Sequence, residues 1–535
     1  MKFGSFSLDQ AQGAILAHAV QLDGTALKKG HVLSAQDIEL LHTAGILKVI
    51  AAKLSSDDVP EDLAARNVAL AACGGRTLAQ EAFTGRANIY STTKGLVQVD
   101  EVRVRALNHI HESLTLATLP NHTRVEARAM VATVKVIPFA VPRWVFDAVL
   151  KIIGDAPLVT VAPFKLQRIS LIITKLPQTK EQLIAKSESS IRARVQAMGG
   201  ELTDVIICDH NEASVQVAIL KANAEAILVF GASAIVDRDD VIPAALVAAG
   251  GEVLHMGMPV DPGNLLMLGH LSHIPVIGVP SCARSPKTNG FDWVLARVMA
   301  GIDVSPSDIM DMGVGGLLAE IPSRPSPREQ KSVSVSAPRI AALVLAAGTS
   351  SRMGSNKLLA DLNGVPMIAA TVQRISASAV ESVYVVTGHQ AEEITATLIG
   401  HKVHTLHNAN FADGLATSLR LGVAALKESY DAILVCLGDM PLIDPRDINR
   451  MIAGFNPTEH RSIVVPVHER RFGNPVLWGA EHFNALLACE GDRGARGLLE
   501  SLKDEAVEIP IENPGVVLDA DTPEALAVIR SIVSS

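Results

Sequence analysis

Short unbroken apolar runs alternate with amphipathic stretches over much of the chain. In the C-terminal part the runs are ALVLAA (342–347), VYVVT (383–387), AILVCL (432–437) and SIVVPV (462–467), separated by segments such as PMIAATVQRISAS and GLATSLRLGVAALKES. A run that is apolar at every position has no face suited to water, so each reads as a strand buried on both sides, with the amphipathic segments as covering helices. This predicts a doubly wound, largely parallel sheet. A second series occupies about residues 166–320, with RISLIIT (168–174), DVIICD (204–209), AILVFG (226–231) and PVIGVP (275–280) as its strands and no sequence repeat linking it to the first. Residues 1–150 differ: QLDGTALKKGHVLSAQDIELLHTAGILKVIAAKL reads as a turn, a short helix and a strand. Between the two series, IPSRPSPREQKSVSVSAP (321–338) loses all apolar periodicity and reads as an extended linker. The expected class is α/β: two doubly wound α/β/α domains (151–320 and 339–535) behind a smaller mixed α+β region (1–150).

Composition narrows the function. Hydrophobic residues make up 48% of the 535 positions but aromatics only 3%, so Ala, Val, Leu and Ile must fill several separate cores. The net charge is −9 and no dense basic block interrupts it, which argues against nucleic acid as a partner. Cys73, Cys208, Cys282, Cys436 and Cys489 form no CxxC pair and read as structural thiols of a reducing compartment. The N-terminus MKFGSFSLDQ turns polar early, and no charge-free apolar window is long enough to span a bilayer, so the expectation is a cytoplasmic protein without membrane contact. His31, His109, His111 and His122 lack a metal-ligand spacing and read as solvated or structural.

The first C-terminal strand runs straight into chemistry, in LVLAAGTSSRMGSNKLL (343–359). Parallel strands present their carboxyl ends to a crevice, where a small-residue turn can aim backbone N–H groups at an anion. Gly348 and Gly354 permit the curvature, Arg352 offers a planar fork for phosphate oxygens and Lys357 a compact charge. The pattern fits a cradle for a nucleoside triphosphate, though not a Walker loop, since no GK[ST] follows. A structural turn followed by solvated Arg and Lys is the plain alternative.

Residues 345–357 carry LAAGxSxRMGxxK at every fixed position, followed in order by GDMP (438–441), GNPV (473–476), GDRGAR (491–496) and DADTPE (519–524). Over some 190 residues (a rough span) the sequence resembles MobA-like nucleotidyltransferases, and within them molybdenum cofactor cytidylyltransferases, which join CTP to the phosphate of molybdopterin and release pyrophosphate. The resemblance implies nucleotide contacts from Leu345, Ala346, Ala347, Gly348, Ser350, Arg352, Gly354, Lys357, Ser418 and Gly438, with Arg352, Lys357, Asp439 and Asp521 as the catalytic set. It also implies Mg²⁺, or Mn²⁺ in its place, on Asp439 and Asp521, with Asp519 behind them. Independently, Asp439 and Asp521 each follow an apolar run, and two carboxylates with phosphate oxygens and water suit a hard divalent ion. Helix capping is the plain reading of the same aspartates. Ser418 is equally a small helix residue, and His468, Arg470 and Arg471 are equally a solvated charge run.

GASAIVDRD (231–239), PVDPGNLLMLG (259–269) and VIGVPSCARS (276–285) resemble the molybdopterin-binding domain of MoeA-type and MogA-type proteins, and residues 28–52 resemble another MoeA-type stretch. That resemblance implies a pterin site at Gly231, Ser233, Asp237, Asp239, Pro280, Arg284 and Ser285, joined by Asn474 of the GNPV element. Ala232, Ala234, Val236 and Ser281 depart from the family's Gly or Ser, and a shifted register puts Asp240 in the acidic place. CARSPKTNGFDW (282–293) is either a phosphate cradle at a helix start or a surface loop. The expected function is a molybdenum cofactor cytidylyltransferase fused to a pterin-binding domain, with a molybdoenzyme or its chaperone as recipient and the oligomeric state open. The alternatives are a guanylyltransferase on molybdopterin, a sugar- or alcohol-phosphate nucleotidyltransferase, and a non-catalytic molybdopterin carrier or sensor.

Overall fold

Why the C-terminal runs are apolar at every position is visible in the strand Ile340–Ala346. Ala342, Val344 and Ala346 face one core, while Ala341, Leu343 and Leu345 face another, so no position is left for a polar side chain. The computed structural model describes all residues except 23–24, 166, 319–336, 349–355, 458–460, 492–493 and 535. The C-terminal sheet runs His404–His407, Ser382–Thr387, Ile340–Ala346, Ala432–Leu437, Val476–Gly479, Ile463–His468 and Arg471–Phe472, with Val507–Pro510 also paired to Ile463–His468. Its first four strands are mutually parallel, and Val476–Gly479 enters antiparallel. Helices Met367–Ser376 and Pro445–Gly454 cover one face through Ile368, Val372, Ile448 and Met451; Leu415–Leu426 and Phe483–Leu487 cover the other through Leu419, Val423 and Leu486.

The middle sheet repeats this logic. Glu201–Asp209, Arg168–Lys175, Ala226–Phe230 and Ile274–Val279 are parallel neighbours, and Met267–Leu271 and Glu252–Met256 extend the sheet antiparallel. Leu171 and Ile173 pack on one side and Ile172 on the other. The two antiparallel strands were not among those read from the sequence. Their runs include His255, Gly269 and His270, which break the apolar continuity that marked the others.

The N-terminal part is mixed α+β, as expected. Lys2–Ser7, Lys48–Lys53 and Ile15–Leu16 form an antiparallel sheet beside helix Ala35–Thr43, which starts on a capping box between Ser34 and Asp37. From Asp58 onward, small antiparallel sheets enclose helix Glu61–Ala72 in a second core. The division expected at 150/151 falls inside helix Arg143–Ile153, whose Val145, Phe146, Val149 and Ile153 belong to that second core. The next strand, Val159–Pro163, still pairs antiparallel with Gly95–Val99, so the antiparallel region reaches Pro163. A boundary drawn on composition missed this because both sides of it are equally apolar. The linker lies outside the described residues except for Ala337 and Pro338, whose carbonyls accept from Arg128. Among the described residues no helix is long and apolar enough to cross a membrane.

Candidate functional site

Two adjacent parallel strands of the C-terminal sheet end at the same edge, and their continuations build the site. Ile340–Ala346 leads into Ala347 and Gly348; Ala432–Leu437 leads into Gly438 and Asp439. The Gly438 N–H donates to the Leu345 carbonyl (3.1 Å), which carries the strand pairing one step further. A side chain at Gly438 would press on Ile368, Leu358 and the Leu345 carbonyl, so glycine is demanded by packing here. Leu345, Ala346 and Ala347 are buried, whereas a Cβ at Gly348 would meet nothing among the described residues, leaving its backbone exposed. Ser350, Arg352 and Gly354 lie outside the described residues.

The chain resumes at Asn356, whose side-chain oxygen caps the short turn Lys357–Leu359 by accepting from the Leu358 N–H (3.1 Å). Leu358 is sunk in the core and fixes the turn, so Lys357 is aimed by its neighbour. Its Nζ donates to one carboxylate oxygen of Asp439 and one of Asp521. Burial opposes the ammonium charge, but the two carboxylates outweigh it and hold the Lys357 pKa above its ordinary value. Asp439 is only 7% exposed, and its backbone carbonyl accepts from the Ala520 N–H (3.2 Å), which ties the Asp519–Asp521 segment to the strand end. Asp519 is also shifted up, which here favours the neutral form: burial, then the charges of Asp439 and Asp521, push its carboxyl up.

Three carboxylates thus gather about one ammonium, with Asp439 buried and Asp519 and Asp521 half-buried, an excess of negative charge that a further cation would relieve. Among the described residues no three His, Cys, Asp or Glu side chains are grouped so that they could hold a metal ion by themselves. Two carboxylates presented to one positive centre do suit Mg²⁺, which takes few protein ligands and completes its shell with phosphate oxygens and water. The buried Asn356 Nδ2 has no hydrogen-bond partner among the described residues. That amide escaped the sequence reading because nothing in SNKLL distinguishes it from a capping residue.

Other expected residues divide. Ser418 is buried at 2% exposure and accepts from Asn408 Nδ2 (2.9 Å), tying its helix to the loop after His404–His407. This is the small-helix-residue alternative. Asn474 donates its N–H to the Val516 carbonyl (2.8 Å), which packs the GNPV turn against 514–516. His468 Nδ1 contacts the Ile511 carbonyl (3.0 Å), and Arg470 donates to Asp37 of the N-terminal unit.

In the middle domain the carboxyl ends of three parallel strands meet. Ser233 Oγ bonds His210 Nε2 (2.7 Å), His210 Nδ1 bonds Thr174 Oγ1 (2.8 Å), and Thr174 Oγ1 accepts the Ala232 N–H (2.8 Å). The buried Thr174 hydroxyl already accepts the Ala232 N–H and must place its own proton; His210 Nδ1 stands 2.8 Å away to accept it, which leaves the ring hydrogen on Nε2, facing Ser233. Burial lowers the His210 pKa and keeps the ring neutral. Ser233 is exposed with its hydroxyl proton free for a ligand oxygen. Thr174 and His210 were missed in the sequence; each ends or directly follows an apolar strand, which was the available signal.

Gly231 stands beside this chain, and Pro280 follows the neighbouring strand. Arg284 stacks over the Phe230 ring (4.5 Å), donates from Nε to Ser187 Oγ (3.1 Å) and reaches the Gly231 carbonyl (3.4 Å). Asp237 and Asp239 sit instead on an exposed turn in which Asp240 accepts the Val236 and Asp237 N–H groups (2.6 and 2.9 Å), bonds that hold the Asp240 carboxyl low. Ser285 Oγ accepts from the Lys287 N–H (3.2 Å). The structure therefore groups Gly231, Ser233, Pro280 and Arg284, with Asp237 and Asp239 apart on their turn and Asn474 in the other domain.

Residues 342–507 match the MobA-like NTP transferase domain, and residues 5–53 match a domain of unknown function, DUF8806. The chain is 29% identical over 209 residues to the purine catabolism protein PucB of Bacillus subtilis, covering 37% of this chain and 98% of PucB. It is 25% identical over 183 residues to the molybdenum cofactor cytidylyltransferase of Escherichia coli, covering 34% and 91%. The bifunctional protein GlmU of Rubrobacter xylanophilus is 36% identical over 119 residues, which span 22% of this chain and only 25% of GlmU. A solved nucleotidyl transferase from Methanothermobacter thermautotroptrophicus is 28% identical, with 37% of this chain and 98% of that one covered and a TM-score of 0.33. The family match and the curated relatives support a nucleotidyltransferase in the C-terminal part of the chain.

Proposed function

We propose that the protein is a molybdenum cofactor cytidylyltransferase, transferring CMP from CTP to the terminal phosphate of molybdopterin and releasing pyrophosphate. The observation that carries the reading is Lys357 held between Asp439 and Asp521 at the edge where Gly348 leaves its backbone open. Asp439 and Asp521 would hold Mg²⁺ or Mn²⁺, which when bound supplies charge neutralisation to the triphosphate. The open backbone at Gly348, with Arg352, receives the phosphates, and Lys357 stabilises charge moving onto the leaving pyrophosphate. The molybdopterin phosphate attacks the α-phosphorus, a new P–O bond forms and the α–β bridge breaks. The attacking oxygen is already ionised, so no side chain need remove a proton. Asn356 Nδ2, buried and unsatisfied among the described residues, is available to a phosphate or sugar oxygen.

In the same reading residues 339–535 are the transferase, and the middle domain holds the pterin at Ser233, Gly231, Pro280 and Arg284 and passes it across the linker at raised local concentration. Purified protein given molybdopterin, Mg²⁺ and each nucleoside triphosphate in turn is expected to release pyrophosphate with CTP. Release with GTP alone overturns the base assignment; turnover of a sugar phosphate in place of molybdopterin overturns the acceptor.

A further inference from the structure

A cleft of about 1360 Å³ lies far along the chain from the transferase residues, between the turn 120–124 and the helices Glu181–Ala197 and Gly290–Met299. Its lining brings together His122, Arg124, Lys186, Trp293 and Arg297. The guanidinium of Arg297 is the unusual member. Its Nε is buried without a hydrogen-bond partner, and no hydrogen bond or ion pair is formed by this side chain among the described residues. A buried guanidinium is normally forked onto a carboxylate or a row of carbonyls, as Arg194 in the same cleft is with Asp292 (2.7 Å) and the carbonyls of Ala283 and Ser285.

Three of the acids that share the cleft have close partners of their own, although Asp308 also faces the Arg297 charge at longer range, and Asp311 lines the cleft beside them. Glu101 pairs with Arg105 (2.9 Å), Asp292 with Arg194, and Asp308 accepts the N–H and hydroxyl of Ser305 (2.8 and 2.5 Å) at a helix cap. Lys186 and Arg124 form no ion pair among the described residues, and Arg124 lies over the Phe164 ring (5.7 Å). His122 is held at a left-handed φ of 60° while its ring is pressed toward neutrality, first by burial and then by the Arg297 charge. The Arg297 Nε without a hydrogen-bond partner, with Lys186 and Arg124 outside any ion pair at the mouth, leaves the cleft able to take an anion. The half-buried Trp293 beside them offers a flat apolar wall.

We propose that this cleft is a second ligand site, taking a small phosphorylated molecule whose phosphate lies on Arg297, with Lys186 and Arg124 at the mouth, and whose flat ring rests on Trp293. The proposal is independent of the transferase reading, since none of these residues belongs to the C-terminal domain.

Trp293 is its own reporter: of the three tryptophans, Trp478 is fully buried and Trp144 does not line the cleft. Full-length protein is titrated with inorganic phosphate and with adenosine 5′-monophosphate while tryptophan emission is followed, with W293F as the blank. The expected result is a saturable change lost in W293F, displaced by phosphate, with its midpoint raised at least about tenfold in R297M. Because Arg297 makes no hydrogen bond or ion pair among the described residues and meets Asp308 only at longer range, R297M should melt close to the parent without ligand. If R297M does unfold early, the exposed pair R124Q/K186Q carries the test, and the same weakening is expected there. No Trp293-dependent response to either probe at millimolar concentration overturns the site, as does unchanged affinity in R297M or in R124Q/K186Q. A response to phosphate with none to the nucleotide overturns the flat-ring assignment.

Discussion

Lys357 and Asp439 stand 82 positions apart in sequence and meet through one buried hydrogen-bonded ion pair, with Asp521 accepting from the same ammonium. The pair makes sense of two otherwise separate motifs. A lysine paired to two acids in the ligand-free protein is placed where a divalent ion and phosphate oxygens would later share the charge. If so, D439N should keep the fold and lose turnover. The expected loss in kcat is about a hundredfold or more, on the scale of removing one preorganised charge contact in a transition state. K357M should lose a similar amount, and the double variant less than the product of the two, because the groups act as a unit. Pyrophosphate release under saturating CTP measures all three; D439N at full activity would remove the mechanism.

Thr174 is the hinge of the middle-domain hydrogen-bond chain, since it alone satisfies both the Ala232 N–H and His210 Nδ1. T174V keeps the shape and deletes the hydroxyl, leaving a backbone donor and a ring nitrogen unpaired. Such groups cost about 1–3 kcal/mol when buried, so the urea midpoint should fall by a corresponding amount. S233A, whose hydroxyl is exposed, should leave the midpoint within about 0.5 kcal/mol of the parent. A pterin bound at this edge would feel both changes, and fluorescence of the oxidised pterin reads that separately.

How much of this was legible in the sequence follows from physical range. The strand Ile340–Ala346 was readable because burial on two faces writes itself into every position, and Asp439 because a carboxylate directly after such a strand has few uses. The strands Glu252–Met256 and Met267–Leu271 were not, since an antiparallel hairpin at a sheet edge needs only a half-apolar pattern and tolerates Gly269 and His270. The joining of Lys357 to Asp521, and of Thr174 to Ser233 through His210, depends on which strands become neighbours, and no local pattern states that. Ser418 stayed ambiguous for the opposite reason: a small polar residue on a helix facing a sheet is spelled the same way whether it meets a ligand or Asn408.

Asp37 is a second place where sequence-distant residues converge. Its carboxylate caps helix Ala35–Thr43 from the Ser34 N–H and hydroxyl (2.8 and 2.6 Å), bonds His31 Nε2 (2.8 Å) and receives Arg470 from the transferase domain. Burial works against its ionisation, but those bonds prevail and the carboxyl is held below its ordinary 3.8. A depressed acid stabilises the fold above its ordinary pKa and loses that contribution as pH falls through the folded value. D37A should therefore cost about 1–2 kcal/mol at neutral pH, as for a lost helix cap. The difference between D37A and the parent should shrink below pH 3.8, read by thermal melts of the two proteins side by side.

Glu61 shows the reverse sign and gives the sharper test, because its shift is large. It opens helix Glu61–Ala72 with its carboxyl folded against Gly85, where burial, and then the charge of Asp62, push its pKa from 4.5 to about 7 in spite of Lys135 and Lys29 nearby. Between those two values the folded chain keeps a proton that the unfolded chain has released. The unfolded state then binds fewer protons, so stability must fall as pH rises through this window and stay reduced above it. E61Q preserves the shape of the protonated acid without the charge. It should match the parent at pH 4, gain steadily between 4.5 and 7, and at pH 8 exceed it by on the order of 2–3 kcal/mol, the worth of a shift of this size. Melting curves of the two proteins across that range decide the matter: a gain at pH 4 as large as at pH 8 would mean that the residue acts through packing and that its charge is not what the fold opposes.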